Sequence, residues 1–303
     1  MFKKFLMFAT LLVPVAASAE PLSVEQAAPG IYVHHGVHKD INVGYGGDIC
    51  NVGFIVGSKG VAVIDTGGSP VVGARLRAAI RKVTDLPILY VINTHVHPDH
   101  ILGNAAFKDD HPAFVGHENL AAAMAQRKDA YLNNQTSWVG ADAVGSEIIP
   151  PTLPIKGTQT IALGGRSLQL TAYPAAHTNT DLTVFDSATS TLWTGDLLFV
   201  ERTPSVDGDL KGWLEVIKQL RSIPAARVVP GHGPVVADWH AALDNESRYL
   251  STLLEDVRTA IKQGNSMEQA IDGATQSEKG KWELFDIANR RNVGRIFPVL
   301  EWE

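Results

Sequence analysis

The chain has 303 residues, 45% of them hydrophobic, enough to bury a sizeable core in one large domain or two modest ones. Charged residues make up 19% and the net charge is -6, so nothing in the electrostatics invites nucleic acid or an anionic membrane as a partner. No long charge run, low-complexity tract or internal repeat divides it.

The first 19 residues read as an export signal. Lys3 and Lys4 form a short positive region, Phe5 to Ala16 is apolar apart from Thr10 and Pro14, and Ala17-Ser18-Ala19 is a small-residue cleavage site. The apolar run is shorter than the roughly 20 residues that span a bilayer, and no later run approaches that length. The expectation is a soluble protein of residues 20–303 in the periplasm. Cys50 is the single cysteine, so no internal disulfide can form. In the apolar run Cys50 to Val56 it reads as a small core residue without a chemical role.

Strands are predicted at Ile31 to His34, Asn51 to Val56 and Val61 to Asp65, with a hairpin turn at Gly57-Ser58-Lys59-Gly60. Ser69-Pro70 starts a helix reaching about Lys82, serine capping and proline opening the first turn. The buried strand Leu86 to Asn93 completes a βαβ unit and ends in THVHPDH. Glu118 to Leu132 reads as helix, and Thr158 to Leu163 with Ser167 to Tyr173 as a hairpin. Leu182 to Phe185 and Thr191 to Thr194 are strands leading to Asp196. Lys211 to Ser222 is helical, and the strand Ala226 to Val229 leads into Pro230-Gly231-His232-Gly233. Helices follow at Ala237 to Gln263 and after the capping box Ser266 to Gln269, then a tail, Arg290 to Glu303, that is irregular or a short strand. No linker separates the two strand-rich halves, so one α/β domain with two sheets is expected.

The chemistry sits at strand ends, where rigid scaffolds place reactive groups. His95 and His97 are two apart and can reach one ion in an extended turn; Asp99 and His100 can reach a second. His177, Asp196 and His232 follow, so five of the eleven histidines fall in this set. A polar surface turn would account for any one histidine, but not for four donors within six positions. Imidazole with carboxylate suits zinc, and also iron or manganese. Asp65 reads either as a carboxylate orienting a ligand histidine or as a plain helix-entry turn. His117, beside a helix start, reads as structural. Gly44 to Gly47 reads as a flap over the site or as an ordinary loop.

THVHPDH resembles the H-x-H-x-D-H signature of the metallo-β-lactamase superfamily, with the later histidine, aspartate and histidine in that family's order and VIDTGGS at Val63 to Ser69. The resemblance implies an αββα four-layer sandwich and a site of two Zn2+ ions. His95, His97 and His177 would bind one, Asp99, His100 and His232 the other, with Asp196 bridging. Aspartate at position 196 resembles the glyoxalase II, lactonase and arylsulfatase-like branches, whereas β-lactamase branches usually have cysteine or serine there. VGHENL and the ending LEWE make the chain similar to the quinoprotein relay system zinc metallohydrolases, which implies a periplasmic quinoprotein dehydrogenase system as a partner.

Two divalent ions sharing a water would lower its pKa to roughly 7, and Asp99 would hold metal and orient the hydroxide as the catalytic carboxylate. The expected reaction is hydrolysis of an ester, thioester or lactone. Three alternatives stand beside it: a class B β-lactamase, a mononuclear iron persulfide oxygenase, and a non-catalytic accessory protein of a quinoprotein dehydrogenase system.

Overall fold

The computed structural model describes residues 19–303, so the expected export signal, residues 1–19, lies outside the described residues but for Ala19. Among those described, no helix is long and apolar enough to cross a membrane.

Two sheets form the middle of the molecule. The first has seven strands in chain order: β1 (Glu25–Ala28), β2 (Ile31–His34), β3 (Val52–Val56), β4 (Val61–Ile64), β5 (Ile88–Ile92), β6 (Ala113–His117) and β7 (Leu153–Ile155). It is antiparallel up to β4 and parallel from there on. The switch follows from the connections: a tight turn joins β3 to β4, whereas α1 (Pro70–Val83) carries the chain over to β5. The second sheet runs β8 (Thr158–Ala162), β9 (Ser167–Ala172), β10 (Leu182–Asp186), β11 (Thr191–Phe199) and β12 (Arg227–His232). It is antiparallel except for the β11–β12 pair, bridged by α4 (Leu210–Leu220).

Because successive side chains point to opposite faces, strands covered on both sides read as continuous apolar runs. Ala62 and Ile64 of β4 face the second sheet, packing with Leu170, Val184, Trp193 and Val229. Val61 and Val63 face outward onto Leu76 and Ile80 of α1. Leu192 and Val228 point the other way, onto Trp213 and Leu220 of α4 and Leu250 and Leu253 of α5 (Trp239–Lys262). The layers are therefore helix, sheet, sheet, helix, as expected.

The capping signals also hold. Ser69 accepts from Val72 N, and Ser266 and Gln269 form both bonds of the capping box that opens α6 (Met267–Gly273). Three expectations change. The helix after His117, α3 (Leu120–Val139), continues well past Leu132. β11 does not stop at Thr194 but runs through Asp196 to Phe199. The tail is not irregular: α7 (Phe285–Leu300) is helical through Pro298, because Val293, Ile296, Phe297 and Leu300 line one face and bury against the α5 layer. Between β5 and β6 lies α2 (Pro98–Ile101), a single turn.

Candidate metal centre

β5 ends at Ile92, and the next residues are held by side chains rather than by a ladder. Asn93 and Asn104 exchange amide hydrogen bonds at 2.8 and 3.1 Å, and the Thr66 hydroxyl donates to Asn104 Oδ1 at 2.9 Å. His95 and His97 lie on the extended segment that follows, and Pro98 then opens α2, placing Asp99 and His100 on its first turn. His177 is in the β9–β10 connection, where Asp181 accepts from both the backbone N–H and the hydroxyl of Thr178.

Asp196 lies within β11, not after it. The pairing with β12 slips on both sides of Gly195, which sits at φ 51°, and this irregularity turns the Asp196 carboxylate toward His232 at the end of β12. A Cβ on Gly231 would stand 1.9 Å from Asp196 Oδ1, so only glycine lets β12 come this close.

All seven donors meet. Imidazole and carboxylate atoms of His95, His97, His177 and Asp196 lie within 4.8 Å of one another, as do those of His100, Asp196 and His232. Asp196 faces both groups: Oδ2 is 3.3 Å from His177 Nε2 and 3.4 Å from His232 Nε2, and Oδ1 is 3.2 Å from His100 Nε2. Asp99 Oδ2 is 3.5 Å from both His100 Nε2 and His232 Nε2. Six of the seven residues are buried, and His97, 17% exposed, marks the way in.

The hydrogen bonds outside this cluster assign the protons within it. His177 Nδ1 donates to Ser205 O at 2.6 Å and His100 Nδ1 to Asp65 Oδ2 at 2.8 Å, while His232 Nδ1 stands 2.7 Å from Ile49 O and 2.9 Å from Arg202 Nη1. Thr94 gives its hydroxyl proton to Asp65 Oδ2 at 2.7 Å and so accepts from His95 Nδ1 at 3.1 Å. His97 is reversed: its Nε2 meets Asp207 Oδ2 at 2.9 Å, leaving Nδ1 inward, 3.0 Å from His177 Nε2. The inward nitrogens are therefore crowded against the carboxylates of Asp99 and Asp196. Buried polar groups ordinarily find partners, yet His95 Nε2, His100 Nε2 and Asp196 Oδ1 have none. Imidazole nitrogens and carboxylate oxygens turned toward one another in this way fit divalent metal, and these residues are positioned to bind metal ions.

Burial pulls the imidazoles toward neutrality, His177 down to about 3 and His95 and His232 also downward; the Arg202 guanidinium, 2.9 Å from His232 Nδ1, adds to the effect there. His100 is the exception, because Asp196, Asp99 and Asp65 outweigh its burial and raise it. Burial opposes ionisation of Asp196, but His232, His100 and His95 hold it well below the usual carboxylate range.

Asp65 sits at φ 51°, a strained backbone for a non-glycine residue, and its carboxylate reaches His100 Nδ1, Thr94 N and the Thr94 hydroxyl, as an orienting carboxylate would. His117 stays outside the cluster, its Nε2 3.1 Å from Tyr173 O and its Nδ1 accepting from Asn119 N. Within Gly44 to Gly47, Tyr45 and Gly47 are buried, with Gly68 N donating to Gly47 O, while Gly44 and Gly46 are exposed. Cys50 is buried in an apolar cluster as expected, and one residue of the site's surroundings, Asp207, escaped the sequence reading. Cys50 precedes β3 rather than lying in it, and its thiol donates to Asp99 O at 2.8 Å, within 4.8 Å of the Asp99 and His100 donors. Asp207 stands 110 positions from His97 in the chain. No local motif marks it; only the loop between β11 and α4 brings it there.

The Metallo-beta-lactamase superfamily model matches residues 45–232. The chain belongs to the metallo-beta-lactamase superfamily. Over 64 residues, 21% of this chain, the superfamily member is 36% identical to a linear primary-alkylsulfatase from Pseudomonas sp. (strain ATCC 19151), a match spanning 12% of that enzyme. Its fold is similar to a metallo-beta-lactamase from Pontibacter korlensis (TM-score 0.61, 22% identity), covering 76% of this chain and 99% of that one. It is also similar to the stereoselective inverting sec-alkylsulfatase Pisa1 from Pseudomonas sp. (TM-score 0.65, 16% identity), covering 92% of this chain and 50% of that one. At these identities the two structures speak for the fold.

Proposed function

We propose that this chain is a binuclear metallo-hydrolase, with zinc favoured by its imidazole-rich donors, acting on an ester, thioester or lactone. The observation that carries it is Asp196, a buried carboxylate within 3.2–3.7 Å of four imidazole nitrogens from both donor groups. His95, His97 and His177 would hold one ion, and Asp99, His100 and His232 the other, with Asp196 shared. Bound there, the ions would supply Lewis acidity and bring a water to a pKa of roughly 7. The chain's own residues do the rest. Asp99 is placed to hold the attacking water's hydrogen and receive its proton. Asp65 and Asp207 fix the tautomers of His100 and His97. Phe199 and Trp213 pack on His177 and keep bulk water from its rear.

The test is metal analysis of the purified protein beside a panel of thioester, lactone, sulfate-ester and β-lactam substrates. Close to two metals per chain with thioester or lactone turnover supports the reading; one firmly bound iron with oxygen uptake on persulfides would overturn it. The alkylsulfatase relatives favour sulfate esters as a second reading. Export to the periplasm, and work there beside a quinoprotein dehydrogenase, complete the proposal; they rest on the amino-terminal sequence and on the resemblance to the quinoprotein relay proteins.

A further inference from the structure

The way into the site passes His97, and two guanidiniums stand beside it. Asp207, whose side chain is 6% exposed, meets His97 Nε2 at 2.9 Å, Arg127 Nη1 at 2.7 Å and Arg295 Nη1 at 2.5 Å. Exposure then rises to 32% at Arg127 and 55% at Arg295, so the pair forms a wall from the edge of His97 out to solvent. Asp207 supplies one negative charge against two fixed positive charges, and among the described residues no other carboxylate lies within 4.0 Å of either arginine. One turn earlier on α7, Arg291 is neutralised by Asp40 and does not add to this excess.

A purely structural role for both arginines leaves something over. Held by His97 and Arg127, Asp207 already has its charge compensated. Arg295 reaches Asp207 Oδ1 through Nη1 alone, at 2.5 Å, and its other guanidinium nitrogens have no ion-pair partner among the described residues. Its guanidinium keeps a planar fork of donors matched to an oxyanion. Arg127 comes from α3, and Arg295 lies on α7, beyond the stretch matched by the family.

We propose that Arg295, with Arg127, forms an oxyanion-recognition wall at the mouth of the metal centre, so that the substrate carries a carboxylate or sulfate group as well as its scissile bond. This rests on the hydrolase reading for the identity of the bond, but not for the wall. Binding is therefore measured separately from turnover, by calorimetry on the full metal-loaded chain with succinate and with inorganic sulfate. Losing a charge-assisted contact of this kind weakens binding by roughly tenfold or more, so Arg295→Gln should lose that much affinity. Arg295→Lys should recover part of it, and wild-type affinity should fall as salt rises. The distal exposed Arg221→Gln is the control for a general charge effect.

Kinetics then separate the sources of the anion. The ratio of kcat/KM for an anionic aryl hemisuccinate over its neutral aryl acetate should drop in Arg295→Gln if a carboxylate is gripped. A drop confined to an alkyl sulfate would assign the wall to sulfate. Equal binding of both probes by wild type and Arg295→Gln overturns the proposal, whatever is hydrolysed. Absence of turnover on every ester, with the binding difference intact, overturns the hydrolase reading and leaves the wall standing. Should Arg295→Gln misfold, salt-independent binding of both probes by wild type overturns the proposal in its place.

Discussion

Two buried polar clusters lie on either side of the β11–α4 loop, and they differ in one respect. In the helical layer, Tyr249 donates to Asn289 Oδ1 at 3.0 Å and accepts from Asn292 Nδ2 at 2.8 Å, and Asn292 also takes Val206 N and gives to Pro204 O. Glu278 accepts from Arg248, Lys281 and Trp282. Every one of these polar side chains is satisfied. Across the loop, the histidine and aspartate cluster holds three polar atoms with no partner. A buried polar group left unpaired costs about 1–3 kcal/mol, so a cluster that keeps several is completed by something it binds. The satisfied network does the bracing: Asn292 anchors Pro204 and Val206, flanking Ser205, whose carbonyl takes the His177 proton.

The sharpest way to break this comparison is Asp196→Ala. It should lower kcat/KM by roughly three orders of magnitude, about 4 kcal/mol, and reduce metal content, while circular dichroism stays near wild type. A variant that kept its full metal content would remove Asp196 from the ligand set. Chelation comes next: stripping metal should lower Tm, and restoring it at about a thousandfold over Kd should return about 4 kcal/mol of stability. Asn289→Ala should do the reverse, losing about 2–3 kcal/mol in denaturant unfolding with metal stoichiometry unaltered.

Glu278 sharpens the contrast through pH. Burial opposes its charge, but Arg248, Trp282 and Lys281 win and bring its pKa from 4.5 down to about 2. A carboxyl with a depressed folded pKa contributes stability above pH 4.5 and loses it as pH falls through about 2. Glu278→Gln should therefore be less stable than wild type by about 2 kcal/mol at neutral pH, the two converging near pH 2 in acid titrations. The smallest effect concerns selectivity. If Asp196 is shared between two ions, as proposed, its carboxylate would neutralise charge at both and leave less to stabilise an amide nitrogen anion. Catalytic efficiency on thioesters or lactones should exceed that on penicillins and carbapenems by at least ~10-fold, about 1.4 kcal/mol, in side-by-side kinetics.

The sequence by itself marked the fold class and the first residues of the candidate site, because both are written locally. Continuous apolar runs marked the doubly covered strands, Ser69-Pro70 and Ser266 to Gln269 marked helix starts, and THVHPDH put four donors within reach of one another. His177, Asp196 and His232 were legible through their order after that motif. The tertiary structure decided what depends on contact across distance. It carried β11 through Asp196, extended α7 through Pro298 by burying its apolar face, and brought the Cys50 thiol to Asp99. It also decided which nitrogen of each histidine faces inward, since the partners are Ser205, Ile49, Asp65, Thr94 and Asp207. A carboxylate 110 residues from its histidine, and an arginine on the last helix, leave no periodic or spaced signature. Hydrogen bonds and ion pairs act over a few ångströms of space, whatever the separation along the chain, and folding alone sets which residues come that close.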